Sequence, residues 1–188
     1  MSSIPPISTA VQQLYSTFSG YSLHDNKEGC PCCVNESDHE RIRGVSVRFL
    51  PVDSVVKYAY KAMTTWGTIT DFKYLLPRLF ELQAQKPFID TEILFGKLQY
   101  AYWNQWSMQE QEAIRLFFVS YWHSVLQEEL EEPITASEEV LGNRFSLIIP
   151  LLAPATRTLP HQEAVQHVRN QQLGWTSISD SLMRDRAS

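Results

Sequence analysis

All three cysteines of the chain and two of its five histidines fall in one short stretch, His24-Asp-Asn-Lys-Glu-Gly-Cys30-Pro-Cys32-Cys33-Val-Asn-Glu-Ser-Asp-His39. Zinc takes four thiolate or imidazole donors in a tetrahedron, and C-x2-C spacing lets two thiolates of one turn reach the same ion. Cys30 and Cys33 have that spacing, His24 precedes Cys30 by six residues, and His39 follows Cys33 by six. The stretch therefore predicts a structural zinc held by His24, Cys30, Cys33 and His39. Gly29 and Pro31 help the chain to turn, and Cys32 is a spare thiol able to replace either histidine. The alternative is a reduced loop whose cysteines pack as small apolar groups, because no second C-x2-C or H-x3-H pair completes the usual two-pair arrangement.

The same cysteines can be read as a redox pair, since Cys30-Pro31-Cys32-Cys33 has the C-P-x-C pattern of dithiol sites. Such a site needs a strand in front of it and a helix directly behind it. The polar lead-in "SLHDNKEG" predicts a loop there instead, so a structural cluster is preferred to a catalytic one.

A second set of chemistry-bearing residues lies in "TTWGTITDFKYLLPRLFEL", 64–82. Trp66, Asp71, Lys73 and Arg78 mix an aromatic with both signs of charge beside a proline, which predicts a binding surface with Asp71 and Arg78 paired across the break. The competing reading is a helix junction pinned by Trp66 and tied by ion pairs. His123 sits in an apolar segment, His161 and His167 fall on opposite helix faces, and Glu138 and Glu139 point apart. None of these makes a catalytic set. No P-loop, G-x-G-x-x-G, G-x-S-x-G or H-E-x-x-H pattern occurs.

The elements that must position these residues read as helices. Apolar residues recur at helical spacing over 8–18, where Gly20 follows, and over 51–67, where Pro51 suits the start and Gly67 the C′ position. A short helix is expected from Ser37, with Glu40 at capping-box spacing, and "VSVRFLP", 45–51, reads as extended chain. The segment 70–85 contains Pro77, which predicts a kink or a new helix start. Further helices are expected over 90–106 and from Ser107, whose capping box is Glu110. The latter's wide apolar arc (Ile114, Phe117, Phe118, Tyr121, Trp122, Val125, Leu126) predicts a deeply buried helix. Segments 136–153 and 161–174 complete the series, and 175–188 reads as a flexible tail. "DFKYLLPRLF" (71–80) and "RFSLIIPLLA" (144–153) echo one another, but two short matches are too few for a repeat array.

Composition agrees with a globular helical chain: 188 residues, 44% hydrophobic and 20% charged, with only 7 glycines to make the turns an all-β sandwich needs. With 16 basic against 21 acidic residues, net charge is -5. The densest charge run, "QEELEE" (127–132), is acidic, which disfavours nucleic acid as a partner. No basic-then-apolar leader and no long apolar run are seen, so no membrane association and a cytoplasmic location are expected, where thiols stay reduced.

Taken together, "GCPCCV" (29–34), "YAYKAMTTWGTITDFKYLLPRLFEL" (58–82) and "LFGKLQYAYWNQWSMQEQEAIRLFF" (94–118) resemble a family of uncharacterised bacterial helical proteins. The similarity covers roughly residues 10–125. Its matched positions are Cys30, Pro31, Cys33, Thr65, Trp66, Gly67, Asp71, Phe72, Leu76, Pro77 and Arg78. The resemblance implies a bacterial origin and one helical unit, and no reaction.

The sequence thus predicts an all-α fold of about six to eight helices in a single domain over 1–174, with a Cys/His loop and short helix over 24–44. The expected function is a non-enzymatic interaction module, an adaptor or an immunity- or antitoxin-like binder of another protein, with a structural zinc as its cofactor. The rival is a metal- or thiol-dependent enzyme or redox protein centred on Cys30 and Cys33.

Overall fold

Six α-helices and two short 3-10 turns follow one another in the computed structural model, which describes residues 4–24 and 29–131. They are α1 (Ile7–Thr17), α2 (Glu36–Arg43), α3 (Val52–Lys61), α4 (Ile69–Gln85), α5 (Thr91–Tyr100) and α6 (Met108–Glu131), with 3-10 turns at Val47–Phe49 and Trp103–Gln105. All of them lie within one compact unit, Met1–Thr135. Among the described residues there is no strand, only two isolated bridges, so the fold is all-α as expected. The helices expected over 136–153 and 161–174, the tail, His161, His167, Glu138 and Glu139 lie outside the described residues. So does the second half of the internal echo.

The core is built where the apolar periodicities meet. α1 packs on α6 and α4, while α3 packs on α2, α4 and α5. Leu14, Leu75, Leu76, Leu79, Leu94, Phe72, Phe80, Phe95, Phe117 and Phe118 are all buried. Phe95 stands edge-on to Phe80 and Phe118, with ring centroids 5.2 and 4.7 Å apart, the T-shaped arrangement that aromatic quadrupoles favour. α6 buries Ala113, Ile114, Phe117, Phe118, Tyr121 and Val125, as its wide apolar arc predicts.

Several boundaries differ from the sequence expectation, each for a local reason. α4 runs unbroken through Pro77. The proline costs one helical hydrogen bond, of the order of 3 kcal/mol, and buried Phe72, Leu75, Leu76, Leu79 and Phe80 on either side of it offset that loss. The capping box of α2 uses Asn35 and Asp38, two residues before the expected Ser37–Glu40 pair. Val47–Phe49 forms a 3-10 turn instead of extended chain. Tyr102, at φ 52°, ends α5 well before 106. The Ser107–Glu110 box at the start of α6 forms as predicted, with the Ser107 N–H donating to Glu110 Oε2 at 2.9 Å.

The largest difference is at the end of α3, which stops at Lys61 and not at Gly67. Met63 adopts φ 62°, and the N–H groups of Thr64, Thr65 and Trp66 all turn back to the Lys61 carbonyl at 3.1 Å. Buried Lys97 of α5 donates Nζ–H to the carbonyls of Tyr60 and Ala62, at 2.9 and 3.1 Å, satisfying acceptors that the helix end leaves open. Gly67, at φ 70°, then leads into Thr68, which caps α4 with Asp71. The result is a tight turn, Ala62–Gly67, against which the cysteine loop is laid.

Candidate metal centre

Cys30 to Val34 form a single tight turn. The Cys30 carbonyl accepts from the N–H of Cys33 at 2.8 Å and of Val34 at 3.0 Å, with Pro31 and Cys32 at its tip. A turn this short brings three side chains onto one side of the chain. The sulfurs of Cys30, Cys32 and Cys33 all lie within 4.8 Å of one another, and Cys32 and Cys33 are 3.6 Å apart. Metal–thiolate bonds of about 2.3 Å in a tetrahedron set sulfurs about 3.8 Å apart, so the three thiols lie close enough together to share one ion.

The turn is held from outside by backbone bonds. The Cys30 N–H donates to the Thr65 carbonyl at 2.9 Å, and Gly29 pairs antiparallel with Trp66. A β-carbon at Gly29 would sit 3.3 Å from that of Val34 and 3.4 Å from the Thr65 oxygen, so a side chain there would press on Val34 and push the two segments slightly apart. Behind the turn, α2 is fixed by Asp38, which accepts from the Asn35 N–H at 2.9 Å and pairs with Lys57 of α3. The Asn35 hydrogen bond first, and Lys57 second, hold its carboxyl below the usual range.

Thiol electrostatics follow from proximity. The Cys30 thiol is pulled below its ordinary pKa, chiefly by a hydrogen bond from Cys32. Cys32 donates to Cys30 and Cys33 and is pushed up to about 11. Cys32 is exposed, while Cys30 and Cys33 are half-buried. The cluster opens onto solvent, and beside Cys30 runs an open groove walled by Gly29, Thr64, Thr65, Trp66 and Gly67.

Of the four ligands expected from spacing, the structure brings together Cys30 and Cys33 and adds Cys32. His24 and His39 are placed elsewhere. Among the described residues, the group of donor atoms close enough to share an ion contains the three cysteines and no histidine. His24 Nδ1 lies 3.5 Å from Asp71 Oδ1, which also accepts from the His24 N–H at 2.9 Å. His39 is buried with its ring edge-on to Trp66, centroids 5.4 Å apart. Both line a separate small pocket with Tyr58, Trp66 and Asp71, so Trp66 stands between that pocket and the thiol groove. The Tyr58 hydroxyl there is buried without a hydrogen-bond partner, and burial, then the charge of Asp71, pushes its pKa well up.

The four residues expected to form a binding surface divide among three interior clusters. Trp66 and Asp71 are buried beside His24 and His39. Lys73 pairs with Glu110 at 2.7 Å under the rings of Trp106 and Tyr21. Arg78 donates to the Leu50 carbonyl and to Glu81, each at 2.7 Å. Asp71 and Arg78 do not pair, because α4 is continuous and each finds its partner on a different neighbour. Cys32, read from the sequence as a spare thiol able to replace either histidine, joins the cluster, and Thr65, named above only as a matched position of the resemblance, lines the groove beside it. Three cysteines within four positions were the available signal for making Cys32 a member of the set.

Comparison of the chain with protein-family models, with curated proteins and with solved structures returns no match to any of them. None of the described helices is long and apolar enough to cross a membrane.

Proposed function

We propose that this protein is a non-enzymatic metal-thiolate module in which Cys30, Cys32 and Cys33 hold one thiophilic ion, with zinc the preferred occupant, for engagement of a partner protein. The observation that carries this reading is the mutual approach of three sulfurs on one turn. Three thiolates in one small volume repel one another, and a soft or borderline cation is the chemistry that offsets this. Backbone bonds from Gly29 and Cys30 already fix the turn against Thr65 and Trp66. The ion is therefore not needed to place the loop and serves at its exposed face.

The test is the metal content of the full chain, purified without chelator, beside Cys32→Ser and the double variant His24→Ala/His39→Ala, with circular dichroism checking the fold of each. About one ion per chain is expected in the parent and in the histidine variant, and none in Cys32→Ser. Metal lost from the histidine variant and kept by Cys32→Ser would return the site to the Cys2His2 set. No metal in any sample overturns the reading.

A redox dithiol is the second reading, favoured by the 3.6 Å approach of Cys32 and Cys33 and by the lowered Cys30 pKa. Metal-free protein that forms one reversible disulfide with oxidised glutathione, without loss of fold, is the result that would select it.

A further inference from the structure

The sulfurs of Cys30, Cys32 and Cys33 lie within 4.8 Å of one another, and those of Cys32 and Cys33 are 3.6 Å apart. Three thiols leave a tetrahedral ion one donor to find. For a trivalent metalloid, arsenic(III) or antimony(III), they are the whole set. Such a centre makes three bonds in a pyramid, keeps a lone pair on its open side, and prefers soft sulfur donors. We propose that Cys30, Cys32 and Cys33 form a capture site for a trivalent metalloid hydroxide, with arsenous acid as the ligand that all three sulfurs bond at once. This ligand takes the same thiols as the ion of the metal reading and displaces it, but does not depend on it.

Coordination number, preorganisation and charge all favour this occupant. A pyramid needs three sulfurs close together, and one turn provides them without any distant donor. The histidines of the stretch are not required, and both are engaged elsewhere, His24 beside Asp71 and His39 against Trp66. The turn is already formed. The Cys30 carbonyl accepts from the N–H groups of Cys33 and Val34, while Thr65 and Trp66 hold Cys30 and Gly29 from outside. Closing three bonds onto one atom therefore orders little further chain. Cys32 is exposed and meets a ligand arriving from solvent, with half-buried Cys30 and Cys33 within reach behind the first bond.

The reaction balances without an oxidant. Each S–H proton leaves with one hydroxyl of As(OH)3 as water. Three S–H and three As–O bonds break, and three As–S bonds and three O–H bonds of water form. Arsenic stays trivalent and the product is neutral. A divalent ion on three thiolates keeps one negative charge instead, which has to be offset.

The experiment titrates sodium arsenite into the full chain, reduced, freed of metal and kept under argon. Bound arsenic is read by elemental analysis after gel filtration, and free thiols by reaction with a chromogenic disulfide. About one arsenic per chain is expected, with all three thiols protected. Cys30→Ser, Cys32→Ser and Cys33→Ser, each checked for fold by circular dichroism, should bind arsenite about tenfold or more weakly than the parent. The double variant His24→Ala/His39→Ala should bind it as the parent does. Where a serine variant fails to fold, thiol protection in the parent decides. Protection of only two thiols, or a folded serine variant of full affinity, overturns the three-sulfur site in favour of an ordinary dithiol. No arsenic retained overturns it outright. Arsenite added to the zinc-loaded chain should release the zinc to a chromogenic chelator, and arsenic and zinc retained together would overturn the inference by placing arsenic elsewhere. Zinc bound without arsenite leaves only the metal reading standing, whereas arsenite bound by a chain that takes no zinc removes that reading and keeps this one.

Discussion

The backbone N–H of Cys30 donates to the carbonyl of Thr65 at 2.9 Å. Thirty-five residues separate the two in sequence, and this bond, with the Gly29–Trp66 pairing beside it, joins the cysteine turn to the turn that ends α3. Both turns must keep their shape for the thiols to stay together. The consequences can be tested one at a time.

Gly67 is the residue on which the second turn depends. Its φ of 70° is unfavourable for any residue with a β-carbon, and that carbon would lie 3.1 Å from Asp71 Oδ2 and 3.2 Å from Asp71 Cβ. Gly67→Ala should lower unfolding free energy by about 2 kcal/mol in urea titrations. Gly96 is the internal comparison, because it lies within α5 and its β-carbon would meet nothing within 4 Å. Gly96→Ala should stabilise by about 0.5–1 kcal/mol. Equal effects of the two substitutions would contradict the strained-turn account.

Acid should unfold the protein partly through Glu110. Burial pushes its carboxyl up, but hydrogen bonds from Lys73, Tyr21 and Ser107 outweigh that and bring its pKa down to about 2. A carboxyl whose folded pKa lies below its unfolded value of 4.5 contributes stability that is fully present above pH 4.5. That contribution is lost as pH falls towards 2, and amounts to roughly 3 kcal/mol. In Glu110→Gln the difference in stability from the parent should be greatest near neutral pH and shrink over that window. A difference that stays constant from pH 6 to pH 2 would show that Glu110 carries no such linkage.

In the metal-free protein the thiols should react in an order opposite to their exposure. Cys32 is the exposed one, yet its pKa is about 11, whereas hydrogen bonds stabilise the Cys30 thiolate. The thiolate is the reactive form. Limited iodoacetamide at pH 7.5, followed by peptide mass analysis, should label Cys30 several-fold faster than Cys32. Labelling of Cys32 first would mean that access, and not ionisation, sets the rate.

Much of the scaffold was legible because helix formation is a short-range matter. The apolar spacing of Val11, Leu14 and Phe18, the Ser107–Glu110 box and the arc of α6 are each set by residues within a few turns of one another. The errors came where distant packing overrides local preference. Pro77 stays inside α4 because the residues around it are buried. Lys73 and Arg78 turn inward because Glu110, Tyr21 and Leu50 await them from other parts of the chain, while Glu81, one turn along α4, completes the partners of Arg78.

At the site the division is sharper. The sequence by itself determined that three thiols cluster, since they occupy four consecutive positions with a proline among them and cannot separate far. Only the tertiary structure decided which donors join them. His24 and His39 sit equally near in sequence, but Asp71 and Trp66, some thirty to fifty residues away, draw them into a different pocket. Spacing limits how far a side chain can reach. Where it points is set by whichever buried partner offers the better hydrogen bond or ring contact, and that partner can lie anywhere in the chain.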